Sequence, residues 1–203
     1  NAIIIGVISL FIIIKYHKLS IKKIYLKGYI DVMKNGFPLF ANQFLPTLYN
    51  NSTTFILGLF TSNYAVGLLT SAKYVSEISN LILTMISRTF FPFLNRNFNK
   101  HFIFRNIVLL LGGMLFCITF FGADIISKLL INNENNELSI LIRILAFGTL
   151  GYALMSIYGQ NFLIIKKMDK LVMTITFYVS LFGFMTAFLL ILPFNEFGAA
   201  INL

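Results

Sequence analysis

The sequence predicts an all-α integral membrane protein, and three observations carry that expectation. Hydrophobic residues make up 58% of the chain and charged residues only 11%, where a soluble globular domain carries about 25% charged residues. Apolar stretches of about 20 residues, the length that crosses a bilayer, recur along the chain. Positive charge is dense in alternate connecting loops and sparse in the others, as the positive-inside rule requires of a multi-pass protein. A soluble helical core holds one such apolar helix but not five in succession.

The expected spans are 1–14, 37–60, 64–91, 104–122, 140–165 and 171–192, with another starting at 198. The chain begins Asn1-Ala2-Ile3 inside an apolar run. No positive residue precedes that run and no small-residue cleavage site follows it, so it does not read as a signal peptide. Residues 1–14 read as the second half of a transmembrane helix, and the chain as an internal piece of a longer one. Lys15, Lys18, Lys22, Lys23, Lys27 and Lys34 fill residues 15–36, a basic linker. Residues 61–63 carry no positive charge. Arg96, Lys100 and Arg105 mark the next loop, and Lys166, Lys167 and Lys170 the one after 165. The loop 123–139 is acidic, with Asp124, Glu134 and Glu137 against Lys128. Arg143 lies just inside the following helix, and Glu196 alone marks the last loop. The basic loops are therefore expected on the cytoplasmic side and the others outside.

This pattern also excludes other classes. The net charge of +9 is spread over short loops while the Phe residues lie in the spans, so the chain lacks the basic, base-stacking face that nucleic acid needs. Cys117 is the only cysteine, which leaves no disulfide or Cys-rich metal framework. His17 and His101 fall in basic loops without Asp or Glu around them and read as solvated. No G-x-S-x-G elbow and no Walker loop occurs, so no cofactor is expected and no hydrolase or ATPase chemistry is supported. The sequons in Asn50-Asn51-Ser52-Thr53 fall in mid-span and are coincidental.

Polar groups inside hydrocarbon are expensive and mark function or packing. In span 64–91, Lys73, Glu77, Asn80, Thr84 and Arg88 recur at helical spacing and share one face. Lys73 and Glu77 stand four residues apart and can pair. Such a pair either neutralises itself in packing or faces a hydrated cavity, and the cavity is the reading adopted here. Arg88 either joins it or snorkels to the headgroups. Span 37–60 carries Asn42, Pro46, Tyr49 or Asn50, and Thr53 on one face, flanked by Gln43 and Asn51. Pro46 interrupts the hydrogen-bond ladder. Span 140–165 carries Thr149, Tyr152, Ser156 and Gln160, with Asn161 beside them. Isolated Asn, Gln and Thr residues serve as glue between spans, but that role accounts less easily for this many. Spans 104–122 and 171–192 read as apolar packing helices, with Gly112-Gly113 permitting close approach. Three polar faces together could wall a hydrophilic chamber.

The order of these features resembles a known family. Gly36-Phe37-Pro38-Leu39-Phe40-Ala41-Asn42-Gln43 and Asn51-Ser52-Thr53-Thr54-Phe55-Ile56-Leu57-Gly58 resemble the seventh helix of O-antigen and polysaccharide flippases of the Wzx type. Ala65-Val66-Gly67-Leu68-Leu69-Thr70-Ser71-Ala72-Lys73-Tyr74, ending in Phe91-Pro92-Phe93-Leu94, resembles the helix after it. Ile142-Arg143-Ile144-Leu145-Ala146 resembles the start of their tenth helix. Pro193 with Phe197-Gly198-Ala199-Ala200-Ile201 resembles the start of their twelfth. The resemblance covers nearly the whole chain in order.

The resemblance implies the multidrug/oligosaccharidyl-lipid/polysaccharide exporter fold, two six-helix lobes around a central cavity. Residues 1–14 would end the first lobe, 15–36 would be the cytoplasmic linker, and 37–203 would form the second lobe. The implied function is to flip an undecaprenyl-pyrophosphate-linked oligosaccharide across the bacterial cytoplasmic membrane. Lys73, Arg88 and Arg143 would face the pyrophosphate. Glu77, Asn80, Asn42, Gln43, Asn50 and Gln160 would line the cavity, with Glu77 also a candidate for a coupling proton or sodium ion. The implied partners are the lipid-linked oligosaccharide, membrane lipid, and a polysaccharide polymerase and chain-length regulator. A cation-coupled drug antiporter of the same superfamily, a membrane-embedded polymerase or glycosyltransferase, and an ion channel are the competing readings. The enzyme reading needs catalytic Arg, His or Asp residues in a large external loop, and 123–139 offers mostly Asn and Glu.

Overall fold

The structure, a computed structural model, describes Gly6, Ser9, residues 26–131 and residues 136–203. The chain divides into two units, Asn1–Phe37 and Pro38–Leu203. The expected span 1–14 falls outside the described residues except for Gly6 and Ser9, which are helical, and so do residues 15–25 with His17.

The described residues are almost all helical and include no strand. The helices are α1 (Leu26–Phe60), α2 (Asn63–Arg96), α3 (His101–Phe121), α4 (Ala123–Ile131), α5 (Asn136–Leu154) and α6 (Asp169–Asn202). A 3₁₀ turn, Phe98–Lys100, leads into α3, and α5 runs on as a π-helix over Met155–Leu163. Among the described residues, three helical stretches are long and apolar enough to cross a membrane: Phe98–Phe121, Asn136–Leu163 and Asp169–Asn202. The expectation held five complete spans. α1 and α2 have the length, but their polar and charged residues keep them below the same apolar threshold.

Two boundaries differ from the sequence reading, and one break falls where it was expected. Helix already runs from Leu26, inside the stretch read as linker, because no proline interrupts it before Pro38 and Gly28 and Gly36 only weaken it. The acidic loop 123–139 contains α4, whose Ala123 and Ser127 are buried; its apolar residues recur at helical spacing, and Arg143 pairs with Asp124 at 2.7 Å. In α6 the helix is interrupted at Asn195, with φ 48° and ψ −127°, inside the break expected between 192 and 198. Beyond that reversal the chain packs back along α6. Gly198 sits where a Cβ would overlap the Leu190 carbonyl, so only glycine passes there.

Within the second unit, two apolar clusters lie at different depths of the bundle. One joins Ile56 and Leu57 of α1, Leu68, Leu69 and Ala72 of α2, Leu141 and Leu145 of α5, and Ala187 and Ile191 of α6. The other joins Leu83 and Leu94 of α2, Phe104 and Val108 of α3, and Ala153 and Ile157 of α5 and its extension. α3 approaches α5 closely at Gly112, where a Cβ would lie 2.8 Å from that of Ala153. Gly113 meets nothing. Small residues let backbones approach, which matters because lipid supplies no hydrophobic drive for helices to associate.

Candidate functional site

α2 is the central polar element, and its residues face several directions. Lys73 is half-buried and its Nζ donates to the Asn50 carbonyl at 3.1 Å and to Thr54 Oγ1 at 3.0 Å, both on α1. Among the described residues it makes no close ion pair; Glu77, expected as its direct partner, attracts it only from beyond contact distance. Lys before Glu at i,i+4 is the weaker orientation of such a pair. Glu77 and Arg88 are exposed on the surface of the bundle. The five-residue stripe therefore splits, with Lys73 toward α1 and Thr84 toward α5.

α2 and α5 pack in parallel and share a polar seam. Ser76 Oγ donates to the Leu145 carbonyl at 3.4 Å. Thr84 Oγ1 lies 2.8 Å from the Tyr152 hydroxyl. Asn161 Nδ2 donates to Ser87 Oγ and, at 3.0 Å, to the Ser156 carbonyl. Buried polar atoms without partners also lie on these helices: Asn80 Oδ1, Thr149 Oγ1, Ser156 Oγ and Asn161 Oδ1. Unsatisfied groups in a low-dielectric interior are costly and rare.

The π-helix explains a difference in the α5 face. An α-helical period places Gln160 in line with Tyr152 and Ser156. The wider π turn bonds i to i+5 and brings in Asn161 instead, five residues after Ser156. Asn161 is fully buried, whereas Gln160 is only half-buried. The π turn also presents carbonyls to side chains: Asn161 takes that of Ser156, and His101 Nε2 donates to that of Ile157 at 3.2 Å. His101 is thus not a solvated loop residue. It opens α3 half-buried, stacks on Phe98, and meets Phe104 tilted and Phe162 edge-on.

The other candidates scatter. Asn42 is half-buried on α1, with both side-chain atoms buried and unpartnered. Gln43 and Asn50 are exposed. A shallow groove along α1 is lined by Phe44, Thr47, Leu48, Asn51, Ser52 and Phe55. Arg143 is held by Asp124.

Sequence reasoning missed two groups. Ser76, Ser79 and Ser87 face inward on α2, Ser79 and Ser87 being buried; their helical spacing was legible. The second is a knot between α1 and α6. The Tyr49 hydroxyl donates to the Asn202 carbonyl, Thr186 Oγ1 donates to Asn202 Oδ1 at 2.7 Å, and Asn202 Nδ2 donates to the Gly183 carbonyl at 3.2 Å. Thr186 and Asn202 are single polar residues in apolar runs, and only the reversal at Asn195 joins them.

Long apolar helices, paired through internal polar contacts that replace water, define an all-α integral membrane protein. Residues 1–98 match the family model described as Polysaccharide biosynthesis protein. The matched stretch contains α1 and α2 with Lys73, Glu77 and Arg88, and it supports a membrane role in polysaccharide biosynthesis. No curated protein and no solved structure matches the chain.

Proposed function

We propose that this chain is part of a flippase that carries a polyprenyl-pyrophosphate-linked oligosaccharide across the bacterial cytoplasmic membrane. The observation that carries the reading is Lys73, a cation in mid-helix held by a carbonyl and a hydroxyl rather than by a carboxylate. Glu77 attracts it only from beyond contact distance, which leaves the ammonium accessible to an anion, and the family match over the same segment supports a lipid-linked sugar as its source. A pyrophosphate cannot enter hydrocarbon without a counter-charge. Lys73 supplies one between α1 and α2, while Asn42, Gln43, Asn50 and Asn80 offer neutral hydrogen bonds to sugar hydroxyls. The prenyl tail stays in lipid. Arg88, nearer the basic end of α2, would meet the pyrophosphate as it arrives from the cytoplasmic leaflet, and the exposed Glu77 is free to take a coupling proton or sodium ion. This is transport and makes or breaks no covalent bond.

The test is complementation of a strain lacking its own flippase. Lys73→Arg should keep most surface polysaccharide, and Lys73→Met should abolish it while the lipid-linked unit accumulates on the cytoplasmic leaflet. Units already exposed outside but unpolymerised would point to an enzyme instead. Normal polysaccharide from Lys73→Met at matched expression would defeat the cationic-cavity reading.

A further inference from the structure

The fold brings two basic segments, distant in sequence, to one end of the bundle. The first runs from the end of α2 into α3 and carries Arg96, Lys100 and Arg105. The second joins the π-helix to α6 and carries Lys166, Lys167 and Lys170. The contact between them is aromatic: the Phe98 and Phe162 rings lie 5.3 Å apart, with His101 stacked on Phe98 and edge-on to Phe162. Lys166 Nζ sits over these two rings, 4.3 Å from the Phe162 centroid and 5.2 Å from that of Phe98. Lys100 lies over Phe93 at 5.5 Å and Arg105 over Phe102 at 4.5 Å. Cations above ring faces are held without a counter-anion.

None of the six cations makes an ion pair among the described residues. The nearest acid in sequence, Asp169, is in the first turn of α6 with one carboxylate oxygen buried, where it complements the positive end of that helix. All six except Arg105 are exposed. A belt of unpaired cations seated on aromatic rings, at the end of apolar spans, has the composition that suits the headgroup interface. Lys167, with φ 58°, holds the turn that sets Lys166 over its rings.

We infer that this cluster is a binding surface for anionic phospholipid headgroups, taking their phosphates between the 96–105 and 166–170 segments. The inference rests on the membrane reading alone and is independent of the transported substrate. The contact positions the end of α2 and the π-helical end of α5 at the leaflet surface.

The test uses the full protein in phosphatidylcholine vesicles with trace spin-labelled phosphatidylglycerol or spin-labelled phosphatidylcholine, measuring the motionally restricted fraction of each. Phosphatidylglycerol should be preferred, and the preference should shrink near 0.5 M salt, as screening demands. Lys166→Gln should lower it, by up to about fivefold for one cation at the surface. Lys166→Arg should retain it, because the guanidinium keeps both the charge and the ring contact. The triple variant Lys100→Gln, Lys166→Gln, Lys167→Gln should remove most of it. Lys22→Gln with Lys23→Gln, which are not among the six cations, should leave the cluster's share in place. A preference unchanged in the triple variant, or lost only with Lys22 and Lys23, would overturn the assignment. So would equal loss in Lys166→Arg and Lys166→Gln, which would mark a packing role without charge recognition.

Discussion

Replacing Gly183 by Ala tests whether α1 and α6 are locked by the Tyr49 knot. A Cβ on Gly183 would lie 2.6 Å from Tyr49 Cε2, 2.7 Å from Cζ and 3.0 Å from the hydroxyl oxygen. Ordinary carbon contacts sit near ~3.5–4.0 Å, so the ring must retreat by about 1 Å. Overpacking of that kind costs roughly 1–3 kcal/mol. The retreat also breaks the bond from Tyr49 to the Asn202 carbonyl, and a hydrogen bond between membrane helices is worth about 0.6 kcal/mol on average and ~1.7 at most. Gly183→Ala should therefore destabilise by about 2–4 kcal/mol. Tyr49→Phe, which loses only the bond, should cost under about 2 kcal/mol. Tyr49→Leu vacates the space the new methyl needs, so combining it with Gly183→Ala should cost clearly less than the two changes summed. SDS-induced unfolding in mixed micelles gives each value. Strict additivity, or a Gly183→Ala protein as stable as the parent, would refute the packing argument.

Other consequences follow from the same contacts. Gly112→Val should destabilise by about 1–3 kcal/mol through Ala153, while Gly113→Ala should stay within about 0.5 kcal/mol, by the same unfolding assay. The Arg143–Asp124 pair, exposed at 41% and 66%, should show a coupling below about 1 kcal/mol that fades with salt in a double-mutant cycle. For topology, single cysteines at Asn97 and Leu129 in a Cys117→Ser background should react oppositely with an impermeant thiol reagent in intact cells. Only the cysteine at position 129 should label, and labelling at 97 would invert the orientation. Cysteines scanned through 72–88 should show accessibility oscillating near the ~3.6-residue helix period; uniform unreactivity would remove the hydrated surface.

The helical membrane class was legible because bilayer thickness demands long apolar runs, and composition alone reveals them. The polar residues of α2 were legible as a group, because their spacing follows the helix period. Their destinations were not. Whether Lys73 turns to Glu77 or to Asn50 depends on how closely α1 lies, a tertiary fact. The α5 face was misread at Gln160 because an α period was carried through a segment that winds as a π-helix, and nothing in Met155–Leu163 announces the change. The Tyr49–Thr186–Asn202 knot was invisible for a related reason: it needs the reversal at Asn195, where a non-glycine residue takes a positive φ. His101 read as solvated because Phe98 and Phe162 lie far apart in sequence and meet only when α5 packs beside α3.

The central claim is that Lys73 supplies the counter-charge for a pyrophosphate in transit. At an effective dielectric of 20, two unit charges about 4 Å apart attract by about 4 kcal/mol, or roughly a thousandfold in rate. The most direct measurement is translocation of a fluorescent polyprenyl-pyrophosphate oligosaccharide by the purified full-length protein in vesicles, read by quenching from outside. The parent and Lys73→Arg should translocate it, and Lys73→Met should fall to the protein-free rate while unfolding at nearly the parent's SDS concentration. Translocation by a folded Lys73→Met at the parent's rate would contradict the claim.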